Sequence, residues 1–195
     1  MSDERSSAAR TARPRYTKPF CETRRAVSGG HKIRLAGEFR TGFLVSLCAG
    51  LAERRISIEQ AHARREHDGA WIAELKVTPL PGAVDPKLVP CLEIAQNAIA
   101  AACPMPKVLV DYRAVDTFAH GGTLRLELEA PDALGLLGGL LSALAQLGLH
   151  PIEMNIATRA GRAHDTLWLV TDKGHPPTAM QRAAVLSMLD RSKLP

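Results

Sequence analysis

Leu124–Asp172, LRLELEAPDALGLLGGLLSALAQLGLHPIEMNIATRAGRAHDTLWLVTD, decides the fold. Leu124, Leu126 and Leu128 alternate with Arg125, Glu127 and Glu129, the pattern of a strand with one buried face. The period then changes. Leu136, Leu137, Leu140, Leu141, Leu144 and Leu147 fall on one side of a helix, and Gly148 ends it. Pro151–Thr158 and His164–Thr171 read as two strands joined around Arg159–Arg162.

Working outward, the same order of elements occurs earlier. His31–Ala36 is a short strand, Gly37–Thr41 a loop and Gly42–Arg54 a helix. Ile56–Arg65 and Trp71–Thr78 are strands around His67-Asp68-Gly69, a turn suited to a hairpin. Asp85-Pro86 predicts a helix start, with Asp as cap and Pro in the first turn. Leu88, Leu92, Ala95 and Ile99 keep one face until Cys103-Pro104. Thr178–Arg191 is the final helix. Two copies of a βαββα unit predict two α+β sandwiches, each an antiparallel sheet with helices on one face. One strand, Lys107–Asp116, is left over; it either completes the first sheet or leads the second unit. The division expected is an arm over 1–28, a first domain over 29–106 and a second over 107–195.

The loop before the second helix is the candidate site. Asp132 is placed to cap a helix starting near Leu134. Exposed N–H groups and the helix dipole favour a carboxylate there, and Asp132 can receive an ammonium group. Gly135 permits close approach of a ligand or strand. A helix N-terminus beside a carboxylate suits a zwitterion. Gly138-Gly139 inside the helix costs roughly 1 kcal/mol per glycine against alanine. Close packing of helix on sheet is the expected compensation, and close approach of another domain or subunit is the alternative.

The motif Glu129-Ala130-Pro131-Asp132 with Gly135-Leu136-Leu137, then Ile156-Ala157-Thr158, then Arg162-Ala163 with Asp165, Val170 and Asp172, resembles the ACT family. Within it, the pattern is similar to the paired domains that end bacterial PII uridylyltransferase/uridylyl-removing enzymes. The resemblance is specific over 107–175 and weaker over 31–103. It implies two ferredoxin-like βαββαβ units with a regulatory role in nitrogen metabolism, and an amino acid as ligand. The implied ligand-binding residues are Asp132, Ala133, Leu134, Gly135, Leu136, Leu137, His150 and Ile152. Two departures stand out. Phe39 occupies the aspartate position in the first copy. His150-Pro151 replaces an Asn-Ile pair in the second, so a proline is expected to remove a backbone donor opposite Asp132.

Catalytic and metal motifs are not found. His62 and His67 fit neither HExxH nor HxxEH, and no P-loop, GxGxxG or GxSxG occurs. The reading therefore assigns no enzyme activity, no cofactor and no metal. Cys21, Cys48, Cys91 and Cys103 form no CxxC pair and read as thiols in a reducing cytoplasm. A polar N-terminus predicts no secretory signal, and no apolar run spans a membrane.

The net charge of +5 is concentrated at one end. Residues 1–30 hold seven basic against three acidic side chains, leaving the remainder near neutral. A basic, aperiodic arm over 1–28 is expected to be disordered. Aromatic residues are 4% of the chain, too few to supply stacking for nucleic acid. The expectation is a tandem ACT sensor of an amino acid that acts on a protein partner, with homo-oligomers allowed. Its rival is a ligand-free ACT scaffold resembling the glycine-cleavage repressor.

Overall fold

The computed structural model describes residues 18–97 and 103–192. Its elements run β1 (Phe20–Arg25), β2 (His31–Gly37), α1 (Phe43–Glu53), β3 (Ile56–Arg65), β4 (Trp71–Pro79), α2 (Cys91–Gln96), β5 (Asp111–Thr117), β6 (Thr123–Pro131), α3 (Leu136–Gln146), β7 (Leu149–Arg159), β8 (Arg162–Thr171) and α4 (Ala179–Ser192).

The strands form one eight-stranded sheet in the order β1-β2-β4-β3-β7-β8-β6-β5, with every neighbouring pair antiparallel. The two sheets expected from the repeat are thus continuous. They join where Gln60–Arg64 of β3 pairs with Glu153–Ala157 of β7. Period-two alternation explains the layering. Ile33, Leu35, Ala73, Leu75, Leu124, Leu126, Leu167 and Leu169 point to one side and are buried with α1 and α3. Val185 and Leu189 bring α4 to the same core. The opposite side carries Lys32, Arg34, His62 and Asn155, whose residues are exposed.

Three expectations need correction. First, the arm read as disordered contains β1, which pairs with the outer edge of β2. Its sequence is weakly patterned, but main-chain pairing satisfies an edge that would otherwise be bare. Residues 1–17 of that arm lie outside the described residues. Secondly, the leftover strand begins at Asp111, not Lys107, and pairs with β6 at the far edge. It leads the second unit, as β1 leads the first. Thirdly, the helix opening at Asp85-Pro86 is broken. Asp85 does receive the Lys87 N–H at 2.9 Å, but only a 3-10 turn, Pro86–Leu88, follows. Pro90 lacks an N–H and disfavours helix at Val89, so α2 starts afresh at Cys91. Ile99 lies outside the described residues.

The halves repeat closely. Both α1 and α3 are 11 residues long, and each follows a left-handed glycine, Gly42 or Gly135. The β3 ladder shifts register between Ile58 and Gln60, and the β7 ladder does so at the equivalent Pro151 and Glu153. The paired glycines of α3 serve contacts with α1 of the other half and with the connecting chain, which fits the alternative of a close approach and not helix-on-sheet packing. A Cβ on Gly138 would lie 3.3 Å from Ala49 N on α1, and one on Gly139 would lie 2.4 Å from Met105 Cα in the connection between halves.

Candidate functional site

The backbone makes a sharp turn at each helix start. Gly135 has φ 85°, a conformation that side chains oppose. Leu136 N–H donates to Ala133 O, and Gly139 N–H donates to Gly135 O. The Leu137 and Gly138 N–H groups point out of the first turn, where an α-helix offers no acceptor. Asp132 does not act as the expected cap. Gly135 holds the cap position, and no side chain bonds to the first turn. The backbone N–H of Asp132 is fixed by Gly161 O at 2.9 Å, while its carboxylate remains available beside the helix start.

A cleft lies here, at the seam between the halves. Asp132–Gly138 form one wall, and Ile56, Ser57 and Ile58 of β3 face them. Cys48 and Asp165 line the cleft from α1 and β8. A related cleft lies at the start of α1. There Phe39 and Thr41–Val45 meet His150, Pro151 and Ile152, with Arg65, Trp71 and Asp172 alongside.

The structure therefore brings together Asp132, Ala133, Leu134, Gly135, Leu136 and Leu137, but not His150 and Ile152. Those two stand in the other cleft, where His150 Nε2 lies 2.5 Å from Asp172 Oδ1. The reason is helix length. His150 follows the C-terminus of α3, and 11 residues rising ~1.5 Å each carry the chain ~16 Å from the start of the helix. The antiparallel neighbour β3 begins where β7 ends, so Ser57 and Ile58 take the place expected for His150 and Ile152. Pro151 accordingly removes no donor from the wall opposite Asp132. Each cleft combines the loop of one half with the second strand of the other.

Sequence reading assigned no ligand contact to Asp165, although its position carries a signal. It lies between the inward residues Ala163 and Leu167, at a position where alternation demands an apolar side chain. In the first half the corresponding register position holds Ala73, which is fully buried. Asp165 is 3% exposed, and its Oδ1 has no hydrogen-bond partner. Burial, the nearby Asp132 carboxylate and, in opposition, the Ala157 N–H together place its pKa at about 7, raised from an ordinary carboxyl. Burial, then Cys103 and Asp165, push the Cys48 thiol up to about 12. It remains a protonated thiol near neutral pH, unsuited to nucleophilic attack.

No family model, characterised protein or solved structure gives a significant match to the chain. Among the described residues, no three His, Cys, Asp or Glu side chains are arranged to hold a metal ion. No helix among them is long and apolar enough to cross a membrane. His62 of the sequence pair His62/His67 instead contacts Asn155 Oδ1 through Nδ1 at 2.6 Å, across the β3–β7 junction.

What the seam cleft can do follows from its charges. Carboxylates at Asp132 and Asp165 attract a cation, whereas the outward amides of α3 attract an anion. A small zwitterion satisfies both ends.

Proposed function

We propose that this protein is a non-catalytic regulator built from tandem ACT units, and that it senses an amino acid in the seam cleft. The observation carrying this reading is Asp165: a buried carboxylate with an unpartnered oxygen, lining the same cleft as Asp132 and the start of α3. A buried polar atom without a partner is costly, at about 1–3 kcal/mol. A ligand ammonium supplies the missing partner and favours ionisation of Asp165. The ligand carboxylate accepts from the Leu137 and Gly138 amides. The cytoplasm is the compartment proposed for this activity.

Because both halves build the cleft, occupancy couples to the packing of α1 against α3. A ligand changes that packing only through unequal affinity for two arrangements. A partner protein that engages one arrangement would then respond to the amino acid. The alternative, a ligand-free scaffold, draws on the other cleft, whose loop carries Phe39 in place of the carboxylate.

A thermal-shift screen against the common amino acids tests the sensor reading. A ligand present at a hundredfold excess over Kd stabilises by ~2.7 kcal/mol, enough for a shift of several degrees. A folded protein that responds to none of them contradicts it. Stoichiometric recovery of a protein partner without any small molecule would favour the scaffold.

A further inference from the structure

The uncovered face of the sheet carries an ordered set of charges, several of them already paired within the chain: Arg24 with Glu22, Lys32 and Arg34 with Glu74, Arg125 with Glu127, and Arg162 with Glu129. Following the strand pairings across all eight strands gives three rows of residues on this face. Each row can be compared with itself in reverse, because β1 and β5 lie at opposite edges and β3 and β7 share the centre.

In one row Arg24 pairs with Lys32 at the first edge, and Glu129 with Asp111 at the last. Reversal sets Arg24 against Asp111 and Lys32 against Glu129. In the next row Glu22 neighbours Arg34, and Glu127 neighbours Arg113. Reversal sets Glu22 against Arg113 and Arg34 against Glu127. These four oppositions join unlike charges, whereas the other four in the two rows, Lys76 with His164, Gln60 with Ala157, Glu74 with Thr166 and His62 with Asn155, do not. In the third row Arg64 neighbours Glu153 across the centre, so reversal keeps that pair together. The same row sets Ile72 against Trp168 and Phe20 against Val115.

We infer that two copies of this chain associate through their uncovered sheet faces, about a two-fold axis that runs along the central strands. That axis sets β1 of one copy over β5 of the other and keeps each row over itself. A twisted sheet is saddle-shaped, and this rotation leaves the saddle unchanged. The two faces therefore stack as parallel surfaces, the aligned packing of β-sandwiches. A two-fold axis across the strands would instead set the first row over the third, with Glu129 over Arg125 the one unlike pair, and the second row over itself unreversed, opposing Glu22 to Glu22 and Arg34 to Arg34. At ~4.8 Å per strand and ~3.4 Å per residue the face presents roughly 800 Å², about one side of a standard interface. Charge supplies register and selectivity, while the Ile72–Trp168 and Phe20–Val115 oppositions supply apolar contact.

Sedimentation velocity on the full chain tests this, using Arg34→Glu, Glu127→Arg and the double variant. Arg34 and Glu127 have side chains 45% and 32% exposed, so charge reversal leaves the core untouched. The wild type should sediment as a dimer whose dissociation rises with salt. Either single variant should weaken the dimer at least tenfold. The double variant, or an equimolar mixture of the two singles, should restore it. A monomeric wild type at low salt, or single variants that dimerise as the wild type does, would overturn the inference. If circular dichroism shows either variant unfolded, Lys32→Glu and Glu129→Lys give the same cycle in the neighbouring row, with the same two overturning results.

Discussion

Asp165 and Asp132 share one cleft, and the Asp132 carboxylate adds to burial in raising the proton affinity of Asp165. Phe39 and Ala73 stand at the related positions of the first half, so the two clefts have different chemistry despite a shared backbone. Where one offers two carboxylates, the other offers aromatic rings. Phe43 stacks on Phe39, with ring centroids 4.8 Å apart, and meets Trp71 edge-on at 5.1 Å.

Stability should fall as pH rises because of Asp165. Its folded pKa of about 7 lies above the unfolded value of 3.8, so the folded state binds the extra proton. The carboxyl is neutral and harmless below pH 4. Its penalty grows between pH 4 and about 7 and is complete above that. Asp165→Asn should remove this slope, raising the melting midpoint more at pH 8 than at pH 5. Melting curves across that range check the difference, and an equal change at both pH values would refute it.

Gly139 should tolerate alanine worse than Gly138. Helix propensity alone favours alanine by about 1 kcal/mol at either position. At Gly139, however, the new Cβ would sit 2.4 Å from Met105 Cα, which is backbone and cannot swing aside. Overpacking of this kind typically costs about 1–3 kcal/mol. Denaturant titration of Gly139→Ala should report a net loss, and Gly138→Ala a smaller one.

The thiols should differ in reactivity. A hydrogen bond from Cys91 is the main influence lowering the Cys21 pKa, and Cys21 is only partly buried. Cys48 and Cys91 are buried with raised pKa values. Brief maleimide treatment of the native protein followed by peptide mapping should label Cys21 first and the two buried thiols, Cys48 and Cys91, last. Equal labelling would contradict the burial described above.

Much of the fold was legible because period-two and period-3.6 patterns record which face is buried. Leu124–Leu128 and the α3 leucines could hardly be read otherwise. Chain reversals were also legible at Gly42 and Gly135. Pairing across long separations was not. Nothing local to Phe20–Arg25 says that β2 will receive it, and nothing local to Ile56–Ile58 says that it will face Asp132. The ACT resemblance points to the Asp132–Leu137 loop, which lines the seam cleft, and by analogy with an Asn-Ile pair to His150 and Ile152, which line the other cleft. Asp165 had a local signal, a carboxylate at an inward strand position.

The exchange of walls predicts which substitutions matter to a ligand. Ser57 and Ile58 face Asp132, whereas His150 does not. Ile58→Trp should fill the seam cleft and abolish any amino-acid response, while His150→Ala should leave it within about twofold, less than the ~1.4 kcal/mol of a tenfold change. Titration calorimetry on the two variants checks this, and the reverse ranking would contradict the assignment of walls.

Amide chemical shifts test the central claim most directly. With ¹⁵N-labelled protein and each common amino acid at millimolar concentration, one of them should move the Leu137 and Gly138 resonances together with those of Ser57 and Ile58. Asp165→Ala should abolish the response, and His150 should stay unmoved. A well-dispersed spectrum that no amino acid changes at these four residues would contradict the sensor.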